Sequence, residues 1–154
     1  MIALAFIAAL AAGAPAAGAA GPPIRLDEHV GAQVPLDLPF TTPEGKHVHL
    51  RDAFDGTHPV VLVMAYARCE MLCSVVLHGV GDAIKDTKAV VGRDYQPVIV
   101  SLDPHETPGE AGRRRGNLGY PATYLVGDDA AIHALANTLG FHYAWDERTK
   151  QYAH

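Results

Sequence analysis

The sequence predicts a single α/β domain, and three observations carry that expectation. Two continuous apolar runs rich in β-branched residues, Pro59 to Tyr66 and Pro97 to Asp103, read as strands covered on both faces. Between them Met71, Leu72, Val75, Val76, Val80 and Ile84 recur at helical spacing, so the chain passes from strand to helix to strand as a βαβ unit. A length of 154 residues with 49% hydrophobic content suits one buried core.

Taken in order, the chain begins with an apolar run from Met1 to Ala12, which dissolves into Ala, Gly and Pro up to Pro23. A membrane-spanning helix needs roughly 20 apolar residues, so this shorter run reads as an export signal, with Ala17 and Ala19 placed for cleavage. No Lys or Arg precedes it. If a longer apolar stretch lies upstream, the same segment is an uncleaved anchor. Residues 1–23 are thus expected to be signal or anchor plus linker, and residues 24–154 the folded domain.

Val34 to Phe40 contains two prolines and suits an edge strand. The turn Thr42-Pro43-Glu44-Gly45 leads into the alternating His47-Val48-His49-Leu50, which predicts a short hairpin. Residues 109–120 carry a weak pattern, a broken helix at best. Ala122 to Val126 is a short strand. Asp128 or Asp129 caps a helix through Ile132, Leu135, Ala136 and Leu139, and Gly140 ends it. Phe141 to Trp145 alternates as a strand, followed by the polar turn Asp146 to Lys150 and an extended Gln151 to His154.

Twelve basic against seventeen acidic side chains give a formal charge of -5, which argues against a nucleic-acid partner. The one basic run, Arg113-Arg114-Arg115, reads as a solvated loop or helix end. His47 and His49 share one strand face and read as polar surface rather than ligands. His78 lies about 140° around the helix from Cys73 and faces elsewhere. His29, His58, His105, His133 and His142 have no partner at ligand spacing, and Trp145 and the tyrosines read as packing residues.

The chemistry lies in Cys69-Glu70-Met71-Leu72-Cys73. A separation of four projects both sulfurs from one face of a helix, about 6 Å apart in rise. The unpaired N–H groups and positive dipole end of a first helical turn favour thiolate over thiol. Soft thiolates select copper(I) or zinc, and two cysteines are too few for an iron-sulfur centre. A disulfide also fits this spacing, although a ring of a few residues removes little unfolded-chain entropy. On spacing alone, a redox dithiol and a metal site remain equally open.

Tyr66-Ala67-Arg68-Cys69-Glu70-Met71-Leu72-Cys73, Val76-Leu77-His78-Gly79-Val80 and Val100-Ser101-Leu102-Asp103-Pro104-His105-Glu106-Thr107-Pro108 together resemble the Sco/SenC family. So does Gly140 to Asp146 leading to Gln151-Tyr152-Ala153-His154, and the likeness runs from about Gly31 to the C-terminus. The resemblance implies a thioredoxin-like three-layer fold. It also implies a carrier that delivers copper, or keeps thiols reduced, for the binuclear copper centre of cytochrome c oxidase. Carried over to this chain, the copper ligands fall on Cys69, Cys73 and His154, and the partner is a copper-accepting oxidase subunit or another copper carrier. Location is then periplasmic, or facing the periplasm from the membrane.

Two thiolates and a neutral imidazole give copper(II) a net charge of zero and copper(I) a net charge of -1, so both oxidation states are tolerable. Asp103 is expected near the site as an outer group, or else as the cap of its own loop. Glu70 stands where the family has proline and places a carboxylate beside the thiolates, which repels them until a cation binds. Ser74 stands where a second proline or threonine is common. The family's C-terminal β-hairpin and final helix are not found after His154, so the chain is expected to be C-terminally truncated. The rival expectation is an exported thioredoxin-like thiol-disulfide oxidoreductase, which needs Cys69 and Cys73 but not His154.

Overall fold

A computed structural model describes residues 24–69 and 72–154. The export or anchor segment of residues 1–23 and the Glu70 side chain lie outside the described residues. The elements run β1 (Arg25–Leu26), β2 (Pro39–Thr41), β3 (His47–His49), a 3-10 turn (Leu50–Ala53), β4 (Val60–Ala65), α1 (Leu72–Thr87) and β5 (Gln96–Ser101). They continue with α2 (Pro108–Gly116), β6 (Thr123–Leu125), α3 (Asp129–Leu139), β7 (Phe141–His142), β8 (Ala144–Asp146) and β9 (Gln151–Ala153).

The two apolar runs form the parallel strands β4 and β5, with Val60 opposite Gln96 and Ala65 opposite Ser101. β6 joins β5, also parallel, with Val98 opposite Thr123. β5 is therefore central, and the side chains of Val98, Ile99, Val100 and Ser101 are all buried. Burying each such aliphatic side chain contributes about 1.5–3 kcal/mol, which is why an uninterrupted apolar run is found where a strand is covered on both faces. β4 has β5 on one side, and among the described residues no strand pairs with its other edge. Leu77 from α1 and Ile132 and Leu135 from α3 complete the core.

The hairpin β2–β3 forms as expected, with Phe40 opposite Val48, and a lone bridge from Thr41 to Val126 ties it to the end of β6. The edge strand expected over Val34 to Phe40 is confined to Pro39–Thr41, because neither Pro35 nor Pro39, which begins the strand, can donate to a ladder. Instead of a broken helix, residues 108–116 form a regular one. Its start is a capping box in which the Glu110 N–H donates to Thr107 Oγ1 at 3.3 Å and the Thr107 N–H donates to the Glu110 carboxylate at 2.8 Å. Thr-Pro-Gly-Glu is the capping-box signature with proline at the first helical position, a local signal that outweighs the three glycines within α2.

The arginine run falls in the last turn of α2, and only part of it is solvated. Arg114 donates to Ser74 Oγ at 2.8 Å, linking α2 to α1, and Arg115 pairs with Glu44. Phe141 to Trp145 is two strands rather than one. β7 pairs with β1 and β8 with β9, so the run changes partners at Tyr143. α3 ends at Gly140, whose left-handed backbone (φ 69°) and close approach to the Asp27 carbonyl leave no room for a side chain.

Candidate metal centre

β4 ends at Ala65, and the next residues make the turn that delivers Cys69 to the start of α1. The Cys69 N–H donates to the Tyr66 carbonyl at 3.4 Å, and the Cys73 N–H donates to Cys69 Sγ at 3.2 Å. Cys69 thus stands ahead of the described part of α1 and supplies its sulfur as acceptor to a first-turn N–H. Such donors are otherwise unsatisfied, and their bond to sulfur favours the anionic form. Cys73 lies within α1. Both cysteines are buried and reduced.

The third group arrives from the far end of the chain. β8 and β9 form a hairpin across the polar turn, with Ala144 opposite Ala153, and this hairpin carries His154 back to the cysteines. His154 Nε2 lies 3.5 Å from Cys73 Sγ, and His154 Nδ1 lies 3.0 Å from the Tyr152 carbonyl. A carbonyl can only accept, so Nδ1 carries the proton and Nε2 presents its lone pair to the sulfurs. Cys69 Sγ, Cys73 Sγ and a His154 ring nitrogen all lie within 4.8 Å of one another. Spacing had put the two cysteines together, and folding brings a histidine 81 residues away onto them.

Burial, helped by the hydrogen bond to Cys69, pushes the Cys73 thiol up to about 12. A sulfur buried in an apolar wall resists becoming an anion until a cation compensates it. That wall belongs to a groove of about 630 Å³ lined by Val63, Met64, Leu72, Val76, Leu139 and Phe141, with Cys73 and His154 on its side. It runs along the open edge of β4.

Tyr66 joins the two arms. Its buried ring meets Tyr152 edge-on at 5.4 Å and His154 at 6.0 Å, and its hydroxyl accepts the Tyr152 N–H at 3.3 Å. Burial pushes this hydroxyl up to about 12, so it stays neutral. Sequence reading passed over Tyr66 as packing, and its place immediately after the first buried strand, three residues before Cys69, was the available signal. Asp103 accepts the His105 N–H at 2.9 Å, capping its own loop, and stands 3.7 Å from an Arg68 nitrogen. Burial and the adjacent Asp103 carboxylate raise the pKa of Tyr152. Asp103 thus neighbours Tyr152, on the strand that carries His154. His47 and His49 sit on exposed positions of β3, and among the described residues the Cys69, Cys73 and His154 group is the one triad of potential ligands.

The family model described as SCO1/SenC matches residues 31–154. The chain belongs to the SCO1/SenC family. Its fold is thioredoxin-like, as the solved structures show. Arabidopsis thaliana ScoI with copper bound shares 20% identity at a TM-score of 0.63, covering 75% of this chain and 74% of that one. For Bradyrhizobium japonicum ScoI with copper bound the values are 18% and 0.59, with 75% and 73% covered. The apo Sco1 protein of Thermus thermophilus gives 24% and 0.57, with 78% and 70% covered. At these identities the likeness to each structure concerns the fold. No curated protein matches the chain.

Proposed function

We propose that this SCO1/SenC chain binds copper as cargo through Cys69, Cys73 and His154 and passes it on, or keeps thiols reduced, during assembly of the binuclear copper centre of cytochrome c oxidase. The convergence of two thiols and one imidazole lone pair within 4.8 Å carries this reading. Two soft sulfurs with one nitrogen suit copper(I), and the net charge of zero with copper(II) makes the oxidised ion tolerable in the same buried place. The bound cation offsets the cost of ionising Cys73, which burial otherwise holds as a thiol. Copper-bound ScoI structures from a plant and a bacterium share the fold. The recipient is then a copper-accepting oxidase subunit or another copper carrier.

Export is part of the same reading. The apolar Met1 to Ala12 run supports it, as does the likeness to a SCO1/SenC family lipoprotein from Bacillus anthracis. No described helix is long and apolar enough to cross a membrane.

The test is titration of the reduced protein with copper(I) against a chromophoric chelator, run beside a disulfide-exchange assay. His154→Ala should weaken copper(I) binding tenfold or more, about 1.4 kcal/mol. Binding unchanged by that substitution, together with brisk copper-independent disulfide exchange, would assign the site to thiol chemistry instead.

A further inference from the structure

The turn between β4 and Cys69 is gripped from beneath by a residue that belongs to neither arm of the metal centre. Glu106 is 5% exposed. It sits on the loop between β5 and α2, held there by its N–H donating to the Asp103 carbonyl at 3.1 Å. Its Oε2 accepts the Ala67 N–H at 2.7 Å and the Ser101 hydroxyl at 2.7 Å. Ser101 is the last residue of β5 and the partner of Ala65, so one carboxylate oxygen ties the ends of both parallel strands to the residue two before Cys69. The outer side of the turn is held separately, by Arg68 donating to both oxygens of Glu110 at 2.9 and 3.2 Å and to the His105 carbonyl at 3.2 Å.

A buried carboxylate is a costly way to satisfy one N–H, and an apolar residue of the same size would serve packing as well. The buried Tyr124 hydroxyl faces the same carboxylate as a further donor, although neither it nor Oε1 reaches full hydrogen-bond geometry. The Oε2 bond to the Ala67 N–H is the contact that reaches the cysteine turn. We propose that Glu106 is a positioning residue for the metal centre, whose bond to the Ala67 N–H fixes the backbone that aims Cys69 Sγ at Cys73 and His154. A Cys69 free to wander by an ångström would leave a two-point site, because the other two groups are fixed independently by α1 and by the β8–β9 hairpin.

This inference rests on the copper reading above, and the experiment separates the two. Copper(I) affinity is measured by chelator competition on the full reduced chain, and exchange of the Ala67 amide is followed by NMR on the metal-free chain. Glu106→Leu, which fills the space without an acceptor, should weaken copper(I) about tenfold and speed Ala67 exchange at least tenfold. Glu106→Gln keeps an acceptor oxygen and should restore both to within about twofold of wild type. Asp94→Ala, which removes the acceptor of the Val90 N–H ahead of β5, at the opposite end of that strand from Ser101, serves as a destabilised control with wild-type affinity. The proposal is overturned if Glu106→Leu binds copper as wild type does, if Glu106→Gln is as impaired as Leu, or if Asp94→Ala loses as much affinity. Should Glu106→Leu fail to fold, Glu106→Met is read by the same two measurements. A wild-type chain that binds no copper(I) refutes the copper reading and this proposal with it. A wild-type chain that binds, beside a Leu variant that binds equally, refutes this proposal alone.

Discussion

The Nδ1 proton of His154 is committed to the Tyr152 carbonyl, and the Tyr152 N–H is committed to the Tyr66 hydroxyl, so the imidazole is oriented by the strand that carries it. Tyr66→Phe keeps the ring contacts but leaves a half-buried N–H without its acceptor, at a cost of about 1 kcal/mol in unfolding free energy. Denaturant unfolding of the variant checks this, and a midpoint equal to wild type would show that the 3.3 Å bond adds nothing. At this scale the cysteines were legible because four-residue spacing is a local geometric fact. His154 was legible by resemblance only, since nothing in Gln151 to His154 says which residues it will meet. Tyr66 and Glu106 were not read as site residues. Their roles depend on a backbone N–H 86 residues away in one case and 39 in the other, and periodicity carries no such information.

Among the elements, α2 shows how a short motif outweighs a poor average. Its glycines and arginines give no apolar stripe, yet Thr107, Pro108 and Glu110 start the helix. Glu110 also receives Arg68, which with the Thr107 donors lowers its carboxyl to about 2. A depressed carboxyl contributes stability that is complete above the unfolded value near 4.5 and is lost as pH falls toward 2. Glu110→Gln should therefore flatten part of the decline in thermal midpoint between pH 4.5 and 2 while changing little at pH 2. Because Glu110 is close to solvent, the effect is small and shrinks further in salt. An acid limb identical to wild type would show that the Arg68 pair contributes nothing. The buried strands and α3 were legible because their patterns are long or cleanly capped. β7 and β8 merged in the sequence because alternation reports which face a residue takes, and is silent on which strand it pairs with.

For the molecule as a whole, the parallel sheet β4, β5 and β6 is the central scaffold, and the candidate metal centre lies at the end where β4 gives way to the cysteine turn. The βαβ order predicted this sheet, whereas the small two-stranded ribbons around it follow from pairings of distant short segments, β1 with β7 above all. One consequence belongs to the ligand set itself. Cys69 and Cys73 lie close in the chain and His154 is 81 residues from Cys73, so an ion held by all three would act as a removable crosslink between the β4–α1 turn and the β8–β9 hairpin. Unfolding separates His154 from the cysteine pair but leaves the pair intact, so the unfolded chain competes for the metal with two ligands against three. Under saturating copper(I) the thermal midpoint should rise with metal concentration, by a free energy that grows as the logarithm of the ratio to the dissociation constant. His154→Ala should keep only part of that rise, and an undiminished rise in the variant would mean that the ion never bridges the cysteine turn and the hairpin. On the copper reading proposed above, the chain is most firmly folded while loaded and loosens as it gives up its cargo.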